Sequence, residues 1–172
     1  IWADTIKQTK KVNPGCTVEV LTPDFKGFEP ALKIVFDSKP DIFSHNVECV
    51  ERISKAVRAQ ANWQRSLGVL EKSIQHGLRT KTGIMVGLGE EVEEVKKTMR
   101  PVVDLGVQIF TIGQYLQPTK NHLKVEEYIS KEQFELYKEY GYSIGFKVVE
   151  SGPLVRSSYH ADEQARMVFN NG

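Results

Sequence analysis

The residues most able to do chemistry stand near the end of the chain, in the stretch GPLVRSSYHADE (152–163). A Gly-Pro bend is followed there by Arg156, two serines and Tyr159, with no helical or strand periodicity. Arg156 offers a fixed fork of hydrogen-bond donors. A neutral serine is a poor metal ligand, but a guanidinium and a bound cation beside it both favour the deprotonated hydroxyl. The stretch is therefore a candidate ion-binding loop; the alternative is a loop held by hydrogen bonds alone.

A second candidate is TGIMVGLGEE (82–91), in which an apolar strand runs into two glycines. Gly87 and Gly89 carry no side chain, so the backbone there can approach a ligand closely. The stretch lacks the lysine of a P-loop and the three-glycine order of a dinucleotide fingerprint. Glu90 would repel a phosphate but suits a cation or a ribose hydroxyl. The alternative is a tight strand-to-helix turn in which Glu90 complements the helix dipole.

Two further polar stretches, SHNVE (44–48) and GQYLQP (113–118), also follow predicted strands. Asn46 and Glu48 are either the cap and the first-turn acid of the next helix or a pair that holds hydroxyls and an amine of a polar ligand. The second stretch offers amide and phenol groups, and its alternative is a loop that turns at a proline.

Apolar periodicity places these stretches at the ends of strands. Amphipathic helical patterns separate five β-favouring runs, which are TVEVLT, DIFSHN, RTKTGIMVG, VQIFTIG and FKVV. This alternation predicts parallel strands joined by right-handed crossovers, as in a (β/α) barrel or an open doubly wound sheet. In both folds the functional groups collect at the carboxyl ends of the strands. Apolar spacing also predicts a helix over residues 47–58, and Pro101 predicts a kink or an end in its helix.

Composition and charge are those of an ordinary globular chain. Of the 172 residues, 40% are apolar and 26% are charged, and the formal net charge is +1. This balance points to no nucleic acid, membrane surface or acidic partner. No apolar run reaches the length that a bilayer crossing needs. We therefore expect neither nucleic acid nor membrane among the partners.

Cysteine usage is sparse, with only Cys16 and Cys49 and no Cys-x-x-Cys. The lack of a disulfide framework favours a reducing compartment. With its own cysteines the chain cannot hold an iron–sulfur cluster or a structural zinc. The chain starts at Ile1, within a helical pattern that has no cap, so we expect a C-terminal piece of something longer.

Five stretches form a joint signature, which is TPDFKG, DIFSHNVE, TKTGIMVGLGE, TIGQYLQPTKNHLKVEEY and ESGPLVRSSYHADE. Their combination resembles lipoyl synthase, a radical S-adenosylmethionine enzyme, from about Thr17 to Gln164. The resemblance implies an α/β fold, a partial (β/α) barrel of the radical S-adenosylmethionine type with its N-terminal strands missing from this chain. Residues 1–150 would be the C-terminal portion of that barrel. Residues 151–172 would be a C-terminal tail that carries the Arg-Ser-Ser-Tyr motif.

The resemblance also implies an activity. In lipoyl synthases one 4Fe–4S cluster cleaves S-adenosylmethionine to a radical that takes hydrogen from an octanoyl chain on a lipoyl-carrier protein domain. A second 4Fe–4S cluster is consumed as the source of the sulfurs inserted at carbons 6 and 8. The expected electron donor is a ferredoxin or flavodoxin, and the expected location is the bacterial cytoplasm or the mitochondrial matrix.

Site residues follow from the same resemblance. The expected S-adenosylmethionine-binding residues are Asn46, Glu48, Gly83, Met85, Gly87, Glu90, Gln114 and Tyr115. Met85 replaces an isoleucine of the family motif, a tolerable apolar exchange. Ser157 or Ser158 would bind the auxiliary cluster, with Ser158 preferred and with Arg156 and Tyr159 in support. An oxygen ligand holds iron less tightly than a thiolate, which suits a cluster that is dismantled.

The chain departs from the family in lacking both cysteine triplets, so we predict that the isolated segment is inactive. Two alternatives remain open at this point. One is a barrel lyase or aldolase that uses rim lysines and carboxylates, in which Lys81 would have to be desolvated near a carbonyl. The other is a non-catalytic module that binds S-adenosylmethionine or a lipoyl-carrier protein.

Overall fold

The computed structural model describes residues 1–170, in which helices and strands alternate. The strands are β1 (Glu19–Leu21), β2 (Ile42–Ser44), β3 (Arg79–Val86), β4 (Ile109–Gln114) and β5 (Val148–Gly152). The helices are α1 (Trp2–Val12), α2 (Glu29–Asp37), α3 (Ser54–Val57), α4 (Trp63–Gln75), α5 (Val92–Asp104), α6 (Lys131–Ile144) and α7 (Ala161–Asn170). The last two residues of the predicted tail, 171 and 172, lie outside this description.

The five strands form one parallel sheet in the order β1-β2-β3-β4-β5. In a doubly wound sheet the order in which strands are added reverses at a switch point, whereas in a (β/α) barrel each new strand is added on the same side of the previous one. The sequential order therefore excludes the doubly wound alternative. The prediction of an α/β partial barrel is confirmed.

The outer face of the sheet packs against the helices. Phe110 and Ile112 of β4 lie fully buried in the same cluster as Val95, Met99 and Val102 of α5. These residues recur at helical spacing along α5, so one stripe of the helix meets the sheet. Each such side chain contributes roughly 1.5–3 kcal/mol by leaving water.

The inner face of the sheet is covered by α7 at the amino ends of the strands. Ile42, Ile109 and Val148, the first residues of β2, β4 and β5, form an apolar cluster with Ala165 and Val168 of α7. Helix α7 therefore covers the inner face of the sheet at the amino ends of its strands. The carboxyl ends of the strands are left to form a site.

Pro101 does not end its helix, so the end predicted there is wrong, while the predicted kink stays a prediction. Helix α5 continues through the proline to Asp104. Met99 and Val102, on either side of it, are fully buried, so packing holds the last turn in place. A proline this close to a helix end removes only one backbone hydrogen bond.

The helix predicted over residues 47–58 is also shorter than expected. Residues 47–50 are not helical, and helical structure begins only with a 3-10 turn at Glu51–Ile53 that leads into α3. The backbone of Glu48 pairs with β3, since its N–H donates to the Gly83 carbonyl (3.2 Å) and its carbonyl accepts from the Met85 N–H (2.8 Å). Pairing with β3 outcompetes the helical pattern, so Asn46 and Glu48 are not a helix cap and a first-turn acid.

Within residues 1–170, no helix combines the length and the apolar character that a bilayer crossing requires.

Candidate functional site

A cavity of about 260 Å³ opens at the carboxyl ends of β2, β3 and β4. Seven of the residues singled out from the sequence line it, and they are Asn46, Glu48, Gly83, Met85, Gln114, Arg156 and Ser157. These residues come from three strand ends and from the tail, so the fold brings the separate sequence stretches to one place.

Asn46 and Glu48 form the polar side of the cavity. The Oδ1 atom of Asn46 is buried and has no hydrogen-bond partner among the described residues. Glu48 sits in the left-handed backbone region (φ 73°), a conformation that costs about 1–3 kcal/mol for a residue with a side chain. Burial raises the pKa of its carboxyl, and Arg58 opposes that shift only in part. An unsatisfied acceptor and a desolvated acid in one wall are suited to a ligand that carries hydrogen-bond donors.

Two glycines form the floor of the cavity. A Cβ atom on Gly83 would lie 2.1 Å from Oγ1 of Thr111, and one on Gly113 would lie 2.3 Å from the backbone oxygen of Val155. Gly83 therefore permits close contact between β3 and β4, while Gly113 admits the tail. The sequence reasoning missed Gly113, although a glycine inside a strand is a known sign that another backbone approaches.

The tail reaches the cavity through Val155, Arg156 and Ser157. The Arg156 guanidinium donates to the Val155 carbonyl (2.6 Å), and the Ser157 carbonyl accepts from Nζ of Lys81 (2.5 Å). Ser158 is exposed and does not line the cavity. The role of Ser157 or Ser158 as a metal ligand stays a prediction.

Glu90 and Gly87 do not line the cavity. The Glu90 carboxylate accepts from the backbone N–H groups of Gly87 (2.5 Å) and Leu88 (2.9 Å), so it closes its own strand-to-helix turn. The predicted role of the two residues in cofactor binding stays a prediction.

Gln114 and Tyr115 serve the loop that follows β4. Gln114 is among the residues that line the cavity, yet its side-chain amide donates to the Glu127 carbonyl (3.0 Å) and accepts from the Ile129 N–H (2.9 Å). The Tyr115 hydroxyl donates to the Leu123 carbonyl (2.8 Å) and lies outside the cavity lining. Both side chains shape the loop, and direct contact with a cofactor stays a prediction.

Lys81 is fully buried and already paired. Its Nζ atom lies 3.0 Å from Oε1 of Glu19 and also donates to the Ser157 carbonyl. A nucleophilic lysine needs a free amine, and this amine would have to break two contacts first. The arrangement weighs against the lyase or aldolase alternative.

Thiol chemistry is also limited within the described part of the chain. Residues 1–170 contain no group of three or more His, Cys, Asp or Glu side chains that could hold a metal ion. Burial raises the pKa of the Cys49 thiol to about 12. Cys16 is exposed, and the two cysteines form no disulfide with each other. These residues alone do not fit a complete 4Fe–4S cluster.

Replacing Glu48 with glutamine is expected to stabilise the ligand-free protein by about 1 kcal/mol at neutral pH. The raised pKa means that folding takes up a proton on Glu48, so stability falls as pH rises from the ordinary glutamate pKa through the raised one. Glutamine removes that loss. Urea unfolding at several pH values measures the difference, which should vanish below the ordinary glutamate pKa. Glu51→Gln, an exposed neighbour, is the control, and an equal gain there would contradict the argument.

Comparison with known proteins shows which family the chain is similar to. Residues 2–102 match the family model described as the radical SAM superfamily. Lipoyl synthases of Rubrobacter xylanophilus and Phocaeicola vulgatus are 54% and 51% identical to the chain, over 95% and 96% of its length. The alignments cover 52% and 58% of those relatives, so the chain spans about half the length of the curated relatives it matches. The resemblance to lipoyl synthases is confirmed.

Two solved structures share the fold. Methylornithine synthase has a TM-score of 0.68 and 11% identity, over 91% of this chain and 53% of its own. A domain of pyruvate-formate lyase-activating enzyme from Bacteroides vulgatus has a TM-score of 0.64 and 12% identity, over 87% and 89%. At such identities the likeness concerns the fold alone.

Proposed function

Because the chain belongs to the radical SAM superfamily, we propose that its cavity binds S-adenosylmethionine and that the protein is part of a lipoyl synthase. The observation that carries the proposal is that the cavity is lined both by Asn46, whose buried Oδ1 atom has no partner among the described residues, and by Glu48, whose carboxyl is desolvated. A buried acceptor without a partner costs about 1–3 kcal/mol, which a bound donor recovers.

The chemistry of the cavity fits this ligand. S-adenosylmethionine carries an ammonium group and ribose hydroxyls, which are donors for Glu48 and Asn46. It also carries a carboxylate, for which the Arg156 guanidinium at the mouth is a suitable partner. Met85 and Leu116 supply apolar surface for the remainder. When bound, S-adenosylmethionine supplies radical chemistry at an unactivated C–H bond, while the residues of this chain bind and orient it.

The full reaction is proposed by similarity to the relatives. It is the insertion of two sulfurs at carbons 6 and 8 of an octanoyl chain on a lipoyl-carrier domain, with electrons from a ferredoxin or flavodoxin. The two 4Fe–4S clusters of that reaction need thiolates that residues 1–170 do not bring together. From this chain we propose a single oxygen ligand, the hydroxyl of Ser157 or Ser158. The bacterial relatives favour a cytoplasmic location for the proposed enzyme.

Removing the Asn46 amide tests the cavity assignment. Asn46→Ala in the full-length protein is expected to weaken S-adenosylmethionine binding about 10–100-fold, because the ligand loses the acceptor that the cavity keeps for it. Equilibrium dialysis with labelled ligand measures the affinity. Asn62→Ala is the matched control, since the Asn62 side chain caps α4 by accepting from the Arg65 N–H (2.9 Å) and is absent from the cavity lining. An unchanged affinity in Asn46→Ala would refute the assignment.

A further inference from the structure

An ion pair between the buried Lys81 and the partly buried Glu19 lies beneath the cavity and touches the tail. Lys81, on the inner face of β3, has no exposed surface. Its Nζ atom lies 3.0 Å from Oε1 of Glu19 on β1 and donates to the carbonyl oxygen of Ser157. One ammonium group therefore joins the first strand, the third strand and the tail, over sequence separations of 62 and 76 residues.

Burying a lysine here is costly without both contacts. An ammonium removed from water loses several kcal/mol of hydration, which only a close anion and further acceptors offset. Glu19 supplies the anion, and the Ser157 carbonyl supplies the further acceptor. Ser44 lies in register with Lys81 on β2, yet its hydroxyl has no partner among the described residues. The tail carbonyl is therefore the acceptor on which the buried ammonium depends besides Glu19.

The same contact sets where the tail lies. Just before Ser157, the Val155 carbonyl rests over Gly113, where no side chain intervenes. Just after it, the chain enters α7, which packs on the inner face of the sheet. The segment 155–157 is thus held by two contacts, one between the Val155 carbonyl and Gly113 and one between the Ser157 carbonyl and Lys81. Arg156 and Ser157 consequently face the cavity.

We propose that Lys81 is a positioning residue, which together with Glu19 holds segment 155–157 in place as one wall of the cavity. Lys81 does not line the cavity, so it acts through the tail. The claim that this wall serves S-adenosylmethionine rests on the proposed function. The claim that Lys81 holds the wall is independent of it.

The test compares three forms of the full-length protein. Lys81→Met removes the ammonium but leaves the partly buried Glu19 without its partner, so this variant is expected to lose stability. Glu19→Gln combined with Lys81→Met neutralises both groups, and a buried pair replaced as a whole often leaves stability unchanged. The control is Glu93→Gln with Lys96→Met, which removes a surface pair (2.8 Å) on α5.

Hydrogen exchange of the backbone amides of residues 154–159 is the first readout. We expect exchange there at least about tenfold faster in the Glu19→Gln/Lys81→Met variant, with β4 and α5 unchanged. We also expect S-adenosylmethionine affinity at least about tenfold weaker, while the control pair changes neither value.

Each outcome decides a separate point. Native tail protection in a folded Glu19→Gln/Lys81→Met variant would overturn the proposal. Faster tail exchange with native affinity would overturn the role of the tail as a cavity wall. If the wild-type protein fails to bind S-adenosylmethionine, the proposed function falls, and the exchange rates still decide whether Lys81 holds the tail.

Discussion

Gly113→Ala is expected to displace the tail and to weaken S-adenosylmethionine binding by about 100-fold, equivalent to about 2.7 kcal/mol. The new Cβ atom would lie 2.3 Å from the Val155 carbonyl oxygen and 3.3 Å from Nη1 of Arg156. A backbone oxygen cannot rotate away as a side chain can, so segment 155–157 must move as a unit. Dialysis measures the loss of affinity, and faster amide exchange in the same segment measures the displacement.

The neighbouring strand offers a matched control for Gly113. Gly152 is its register partner on β5, and a Cβ atom there would meet only Cγ2 of Val155, at 3.5 Å. That distance is ordinary van der Waals contact, so Gly152→Ala should keep the affinity within about twofold. If Gly113→Ala binds as well as Gly152→Ala, the tail is not held as described.

Gly87→Ala is expected to cost about 3–5 kcal/mol of unfolding free energy, since backbone strain and overpacking add at this position. Gly87 has a φ of 99°, and a Cβ atom there would lie 2.4 Å from the Glu127 carbonyl oxygen and 2.2 Å from Nε2 of Gln114. In a protein of this size such a loss lowers the melting temperature by about 10 °C. Calorimetry of the wild-type and variant proteins measures it.

Gly89→Ala separates the two contributions to that loss. Gly89 has a similar φ of 88°, but the nearest atom to its added Cβ would be Cγ of Glu126, at 3.6 Å. Only backbone strain, about 1–3 kcal/mol, should therefore appear in this variant. Equal losses in the two variants would show that the close contact at Gly87 contributes nothing.

The strands and the turn after β3 were predictable because interactions between residues close in sequence determine them. All five strands were predicted, because alternating apolar and β-branched residues report burial within a few positions, although the run FKVV (146–149) covers only the first two residues of β5. The Gly87–Leu88–Gly89 turn was also predicted as one of two alternatives, and the contacts of Glu90 with two backbone N–H groups support the turn.

Long-range contacts account for most of what the sequence did not reveal. Gly113 inside β4 signals that some backbone approaches, but nothing near Gly113 or Lys81 identifies Val155 and Ser157, far along the chain, as their partners. Asn46 and Glu48 could equally have capped a helix, and only pairing with β3 decides against that. These contacts depend on the tertiary arrangement, and the periodicity of a single sequence carries no information about that arrangement.

The three-way contact of Lys81, Glu19 and Ser157 sets an order of events during protein synthesis. Translation delivers Glu19 early and Ser157 late, and contacts between distant segments form only after both have emerged from the ribosome. A nascent chain stopped before Ser157 leaves the Lys81 ammonium without its backbone acceptor and the cavity without one side. This wall of the cavity therefore forms only after Ser157 has been synthesised, and products that terminate before Ser157 lack it.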